Sequence, residues 1–260
     1  MVTLDAFRLD GRVAIVTGAS SGFGAAIAGL FALAGAQVVL AARRADRLDQ
    51  AAAALGAASE GALAVQTDVT SEAQVRRLID RTLDRFGRID VLVNSAGIIA
   101  RTPVADVQEA DWDRMMAVNL KAPFLTCKHA LPHMIAQHDG RIVNLASYLG
   151  LFAGSGYTPA YNASKGGVVM LTRSIAVRHG PDGVRANAIC PGFIKTELNR
   201  DVIDGAPDPA AKERQIASAY PLRRLGTPDD VAYAALYLAS DASNWVTGAC
   251  LMLEGGLTAG

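Results

Sequence analysis

Tyr161 and Lys165 stand four residues apart in Tyr161-Asn162-Ala163-Ser164-Lys165. A helix turns once in about 3.6 residues, so the two side chains project from one face. An ammonium held beside a phenol favours the phenolate and lowers a pKa that is otherwise near ~10. A tyrosine tuned in this way gives or takes a proton near neutral pH. Tyr-x-x-x-Lys alone is a common coincidence. Here it lies downstream of two more polar candidates, Asn119 and Ser147, and of a glycine-rich turn, Thr17-Gly18-Ala19-Ser20-Ser21-Gly22-Phe23-Gly24.

That turn follows the apolar run Val13-Ala14-Ile15-Val16 and opens a helical stretch. Gly18, Gly22 and Gly24 permit a tight bend, and they let the backbone N–H groups of Ser20, Ser21 and Phe23 approach a diphosphate at a helix N-terminus. The spacing is Gly-x-x-x-Gly-x-Gly rather than Gly-x-Gly-x-x-Gly, and the strand–turn–helix context gives it its weight. A ribose discriminator is due about 20 residues further on, where an NAD site carries an acid. The sequence there reads Ala41-Ala42-Arg43-Arg44, with no acid before Asp46. Arg43 and Arg44 suit a 2′-phosphate by charge and by fork geometry. NADP(H) is therefore favoured, with NAD(H) the alternative and a pair of solvated arginines the competing explanation. Asp68 and Val69 follow the third strand, where Asp68 suits an adenine amino group or caps the next helix in competition with Ser71. Asn94-Ser95-Ala96-Gly97 ends the fourth strand in small residues, so Asn94, Ala96 and Gly97 allow close approach to a ribose.

The elements that must hold these residues can be read from periodicity. Strands are expected at 13–16, 37–41, 63–66, 89–93, 141–145, 185–190 and 250–253. Helices are expected at 24–34, 44–55, 72–86, 160–178 and 229–239, with a long helical region at 110–137 that Pro123 and Pro132 should bend or interrupt. Uniformly apolar strands separated by helices indicate a doubly wound α/β fold, a Rossmann-like parallel sheet covered on both faces. At 260 residues one domain is expected. Residues 196–228, rich in Gly and Pro, read as an irregular loop serving as a substrate lid.

Composition narrows the function. Lys plus Arg and Asp plus Glu number 25 each, so no net field draws nucleic acid or an anionic membrane. The three cysteines, Cys127, Cys190 and Cys250, have no metal or redox spacing and read as buried thiols of a cytoplasmic protein. The N-terminus lacks a leader-like apolar run. Residues 25–42 approach the length of a membrane span, but Gly35-Ala36 divides them into a helix and a strand. No metal is expected: His129 and His133 are separated by Pro132 and no zinc motif accompanies them.

Thr17-Gly18-x3-Gly22-x-Gly24, Asn94-Ser95-Ala96-Gly97, Asn119, Ser147, Tyr161-x3-Lys165, Pro191-Gly192 and Thr196 occur in an order that resembles the short-chain dehydrogenase/reductase family in its single-domain form. The likeness covers essentially the whole chain, including the ending Val246-Thr247-Gly248…Glu254-Gly255-Gly256. The resemblance implies Tyr161 as acid/base, Lys165 as its activator and a ribose ligand, and Ser147 as hydrogen-bond donor to the substrate oxygen. It implies that Asn119 holds a water on the proton path, and that Pro191, Gly192, Ile194 and Thr196 fix the nicotinamide amide and the diphosphate. It also implies a homotetramer whose helices around Asn119 and Tyr161 pack between subunits. Phe23, Ser95 and Glu254 depart from the family's usual isoleucine, asparagine and aspartate. The fourteen positions from Ser147 to Tyr161 exceed its usual spacing by one, implying a longer loop beside the substrate.

The expected reaction is hydride transfer between a nicotinamide and a carbonyl or secondary alcohol. Tyr148, Leu149, Phe152, Tyr157, Phe193 and Leu198 suggest a partly apolar pocket, and Arg101 suits a carboxylate or is a surface arginine. A sugar-acid or polyol dehydrogenase, a 3-oxoacyl thioester reductase and a broad ketone reductase remain open. A non-catalytic, nicotinamide-sensing scaffold is the rival of another class.

Overall fold

The computed structural model describes residues 3–56, 61–153 and 158–259. Seven strands form one parallel sheet: β1 (Val13–Thr17), β2 (Gln37–Ala42), β3 (Leu63–Gln66), β4 (Val91–Asn94), β5 (Gly140–Leu145), β6 (Val184–Pro191) and β7 (Cys250–Leu253). Their order is β3-β2-β1-β4-β5-β6-β7. The chain winds outward from β1 in one direction, then returns to start again at β4. The crevice between β1 and β4 is thus the topological switch point, where the carboxyl ends of such sheets bind ligands.

Successive residues of a strand face opposite sides, and β1 is buried along its whole length. Ala14 and Val16 join one core with Ile27 and Phe31 of α1 (Gly22–Leu33), Leu48 of α2 (Ala45–Ala54), and Val231 and Leu238 of α9 (Pro228–Ala239). Val13 and Ile15 join the other, with Leu78 and Ile79 of α3 (Glu72–Phe86), Met134 of α5 (Ala122–Gln137) and Ile175 of α6 (Pro159–His179). Each large side chain taken fully out of water here contributes about 1.5–3 kcal/mol.

Register aligns the carboxyl ends. Thr17 lies beside Asn94, and Asn94 beside Asn144. Thr17 Oγ1 accepts hydrogen bonds from the N–H of Ser95 (3.1 Å) and, more weakly, of Ala96 (3.4 Å). The glycine-rich turn and the end of β4 therefore move as one piece.

Each expected strand, and each expected helix outside the two regions below, lies within two residues of its predicted limits. The predicted 110–137 helix instead comprises α4 (Glu109–Met116), a π-helical turn (Ala117–Lys121) and α5. Pro123 has no N–H to give to the carbonyl four residues back, at Asn119, and the turn before it widens. The Ala122 N–H reaches Ala117, one residue further than in an α-helix. Pro132 is carried inside α5 without ending it.

The predicted irregular loop at 196–228 is also corrected, since it contains α7 (Asp201–Asp204) and α8 (Pro209–Ser218). Asp208 caps α8, accepting from the Ala211 N–H at 2.9 Å, and Pro209 occupies its first turn. An Asp-Pro pair is a recognised helix start, so the signal was present among the glycines and prolines. Residues 25–42 are α1, a turn at Gly35 and β2; among the described residues no helix is long and apolar enough to cross a membrane.

Candidate active site

Two adjoining cavities open at the carboxyl end of the sheet. The first is bounded by the glycine-rich turn (Gly18, Ser20, Ser21, Gly22, Phe23), by Arg43 and Arg44 after β2, by Asp68 and Val69 after β3, and by Ala96 and Gly97 after β4. The second, of about 480 Å³, is lined by Ser147, Tyr161, Pro191, Gly192 and Ile194. Phe23, Thr196 and Leu198 line both.

The first cavity has the form of a dinucleotide cradle. Gly18 adopts φ +68°, and a Cβ there would stand 2.9 Å from the Ala96 backbone. Only glycine lets the turn lie against the end of β4. Gly24 does not line the cavity; it packs on Gly18, whose carbonyl oxygen would lie 2.3 Å from an added Cβ. The turn delivers its backbone into the N-terminus of α1, the arrangement that suits a diphosphate.

At the far end Arg44 Nη2 lies 3.5 Å from both Ser21 Oγ and Glu197 Oε2. Glu197 takes two bonds from Arg47 Nη1, at 2.6 and 2.8 Å. Sequence reasoning missed this acid, since it arrives from 153 positions beyond Arg44. Asp68 accepts from the N–H (2.9 Å) and hydroxyl (2.7 Å) of Thr70. Those bonds, with the charge of Arg43, hold its carboxyl below the ordinary aspartate range. Ser71, the rival cap, makes no capping hydrogen bond to α3.

Asn94 lines neither cavity. Its side chain is buried beneath the cavity, donating to Asn144 Oδ1 at 2.9 Å and accepting from Thr126 at 2.7 Å. It ties β4 to β5 and α5. Asn119 is similar. Its amide donates to the Ile98 carbonyl and accepts from the Ile98 N–H, both at 2.9 Å, and donates to Ser164 Oγ at 3.1 Å. The side chain thus clamps the loop after β4. Pro123 removes the N–H that an α-helix would direct at the Asn119 carbonyl.

Ser147 follows β5 and Tyr161 rises from the first turn of α6. The close approach of their elements depends on Gly150, where a Cβ would lie 2.7 Å from the Lys165 backbone. Lys165 is buried and donates to the Leu145 carbonyl at 2.6 Å. Its Nζ is 3.7 Å from where a Gly97 Cβ would be, so it lies just under the cradle floor.

The sequence predicts that Lys165 acidifies Tyr161; the geometry differs. Lys165 Nζ is directed at Leu145 and lies 5.8 Å from the centre of the Tyr161 ring. Burial pushes the Tyr161 hydroxyl up to about 12, opposed first by a hydrogen bond with Ser147 and then by the charge of Arg101. Burial also pushes Lys165 down to about 8. Cys190 is buried between these groups, and desolvation raises its thiol to about 12, as expected of a packing residue rather than a nucleophile.

Of the predicted pocket residues, Tyr148, Leu149, Phe193 and Leu198 line the second cavity, together with Arg101. Phe152 is half exposed and lies elsewhere, and Tyr157 falls outside the described residues. Lys212, from α8, lines the cavity too and carried no sequence signal. Among the described residues no group of three or more His, Cys, Asp or Glu side chains could hold a metal ion.

A parallel doubly wound sheet with a glycine-turn cradle at its switch point, opening onto a cavity with paired Ser and Tyr hydroxyls, defines a class: nicotinamide-dependent oxidoreductases acting on CH–OH or C=O groups. Comparison with known proteins agrees. The model of the family described as enoyl-(acyl carrier protein) reductase matches residues 18–258. A cis-4-hydroxycyclohexanecarboxylate dehydrogenase of Sinomonas cyclohexanicum is 44% identical over 95% of this chain and 97% of its own. A D-threitol dehydrogenase of Mycolicibacterium smegmatis is 40% identical over 97% and 95%. The crystal structure of levodione reductase superposes with a TM-score of 0.92 at 34% identity, covering 97% and 99% of the two chains. The chain belongs to the short-chain dehydrogenase/reductase family.

Proposed function

We propose that this protein transfers hydride between NADP(H) and a carbonyl or secondary alcohol, with Tyr161 as acid/base. The observation that carries the proposal is that the Ser147 and Tyr161 hydroxyls face one cavity, which adjoins the Gly18–Gly22 cradle, with Lys165 beneath the boundary. The nicotinamide, when bound, supplies or accepts the hydride. Gly18, Ser20, Ser21, Gly22 and Phe23 would hold its diphosphate, Asp68 and Val69 its adenine, Ala96, Gly97 and Lys165 its ribose, and Pro191, Gly192, Ile194 and Thr196 its amide end. In the reducing direction Tyr161 gives its proton to the developing alkoxide, and Ser147 donates a hydrogen bond to the same oxygen. In the oxidising direction Tyr161 must first lose that proton. A hydrogen bond from Ser147 and the positive charge of Arg101 favour the phenolate; burial opposes it.

The choice of NADP(H) rests on Arg43 and Arg44 in the cradle wall and on the absence of an acid at the end of β2. NAD(H) is the second reading, favoured by Glu197, which neutralises part of the arginine charge. We further infer that residues 196–228 close over both cavities, because Thr196 and Leu198 line each of them. A homotetramer is supported by apolar side chains on α4, α5 and α6 that are open to solvent in the single chain, namely Trp112, Phe124, Met170 and Val177. Sedimentation at micromolar concentration tests it.

The decisive experiment is Tyr161→Phe. Turnover on a panel of alcohols and ketones is expected to fall at least 10³-fold, while cofactor binding, followed by fluorescence, is retained. Near-native turnover would sink the assignment. A wild-type protein that binds cofactor but transfers no hydride would favour the sensing scaffold instead.

A further inference from the structure

The larger cavity carries charge for which hydride transfer has no use. Among the described residues, Arg101, in the segment after β4, and Lys212, on α8, are its two charged lining residues, and no carboxylate lines it. Neither cation is well matched among the described residues. Arg101 Nη1 stands 3.8 Å from Asp201 Oδ2, beyond hydrogen-bond reach, and the Asp201 side chain is 75% exposed. Lys212 donates to a neutral amide, Gln215 Oε1, at 3.1 Å. Lys195 in the same region is different, pairing with Asp204 at 2.9 Å and approaching Glu213 at 3.7 Å. The rest of the wall is mostly hydrocarbon: Ile99, Leu149, Phe193, Leu198, Val202 and Ile216.

Two cations, two hydroxyls and a largely apolar wall in one cavity describe an occupant with three parts. We propose that the substrate is a secondary alcohol or ketone on an apolar framework bearing a carboxylate, with Arg101 and Lys212 gripping the carboxylate while Ser147 and Tyr161 face the reacting oxygen. Arg101 can take a carboxylate with two parallel bonds, and Lys212 adds a third donor. In the oxidising direction the carbinol C–H bond breaks and its hydride goes to the nicotinamide. The O–H proton goes to Tyr161, and the carboxylate is unchanged throughout. Asp201, 3.8 Å from Arg101, is displaced by the substrate. The inference rests on the hydride-transfer reading above.

The test uses matched pairs: hydroxycyclohexanecarboxylates and linear hydroxy acids of increasing length, each beside its carboxamide, with either nicotinamide cofactor. Wild-type kcat/KM is expected to favour at least one acid over its amide by ten-fold or more. Arg101→Gln should reduce that acid-to-amide ratio by about 10–100-fold, the loss of one charged hydrogen-bonded contact. Lys212→Gln should reduce it less, and Asp201→Asn should raise it. Calorimetry gives a readout apart from turnover: cyclohexanecarboxylate should bind the cofactor-loaded wild type, and cyclohexanecarboxamide and Arg101→Gln should each weaken that binding. Amides oxidised as well as their acids, or a ratio unmoved by Arg101→Gln, would overturn the carboxylate proposal and leave hydride transfer standing. If no member of the panel and no simple neutral alcohol is oxidised, the hydride-transfer reading itself fails and takes this one with it.

Discussion

The two ends of the sheet treat charge in opposite ways. At the amino ends of the strands Asp90 is fully buried, accepting from the Val13 N–H at 2.8 Å and from Arg88 at 2.6 to 3.1 Å, with Arg12 3.6 Å away. Arg141 bonds Asp139 and Asp241, and Arg12 joins them. Arg185 caps the carbonyls of Leu238, Ser240 and Val246. Nearly every charge there is consumed by a neighbour. At the carboxyl ends Tyr161, Lys165, Arg43, Arg101 and Lys212 surround or underlie open space, and among the described residues only Arg101 of these has an ion-pair partner, Asp201 at 3.8 Å. Charge that is mutually satisfied locks strands together. Charge left facing a cavity costs stability and is available to a ligand.

Lys165→Met gives the largest test of this contrast. Turnover is expected to fall on the order of 10²–10⁴-fold, the range for losing an acid/base group's support. Stability at pH 7 should nevertheless hold or rise, because a buried cation is removed. The sign follows from linkage. Lys165 has a folded pKa of about 8, depressed below its unfolded value of 10.5. Between those values the unfolded chain binds the extra proton, so wild-type stability gains a rising contribution as pH climbs from about 8. Denaturant melts at pH 7 and pH 9.5 should show that gain in the wild type and not in the methionine variant; a sharp loss of stability in the variant at pH 7 would break the contrast.

Asp90→Ala probes the other end. It leaves Arg88 and the Val13 N–H without their partner, at a cost of about 2–4 kcal/mol after allowing for the partial exposure of Arg88. Denaturant midpoints should record the loss while kcat on the folded protein is unchanged. Ser147→Ala should show the reverse, a fall of about 10²–10³ in kcat with little change in midpoint.

Smaller effects sharpen the cofactor assignment. Arg43→Ala with Arg44→Ala should raise the KM for NADP(H) about 10-fold or more, and that for NAD(H) far less. Equal changes would refute the 2′-phosphate reading. Glu197→Gln frees Arg44 and Arg47, so NADP(H) preference should rise a few-fold. An unchanged ratio would show Glu197 to be a surface tether only.

Much of the sheet was legible in the chain because buried parallel strands are apolar runs and their crossover helices have period 3.6. The glycine-rich turn was legible because only glycine tolerates the approach of Gly18 to Ala96. The π turn at Ala117–Lys121 was not, because a missing proline N–H can be absorbed by a kink, a break or a widened turn, and packing decides which. The hydrogen bonds by which Asn94 and Asn119 clamp their neighbours emerged only with Asn144, Thr126 and Ile98 brought alongside.

The local pattern of residues determined which segments become strands and helices, and which side chains could carry a proton, a phosphate or a carboxylate. Those properties depend on residue type and short spacing. Tertiary structure decided which of these groups share a space. It set Glu197 against Arg44, brought Lys212 to the cavity of Arg101 and Tyr161, and raised the tyrosine's pKa by burial where spacing alone predicted a fall. Desolvation and long-range pairing depend on what surrounds a group after the whole chain has closed, and no window of sequence contains that.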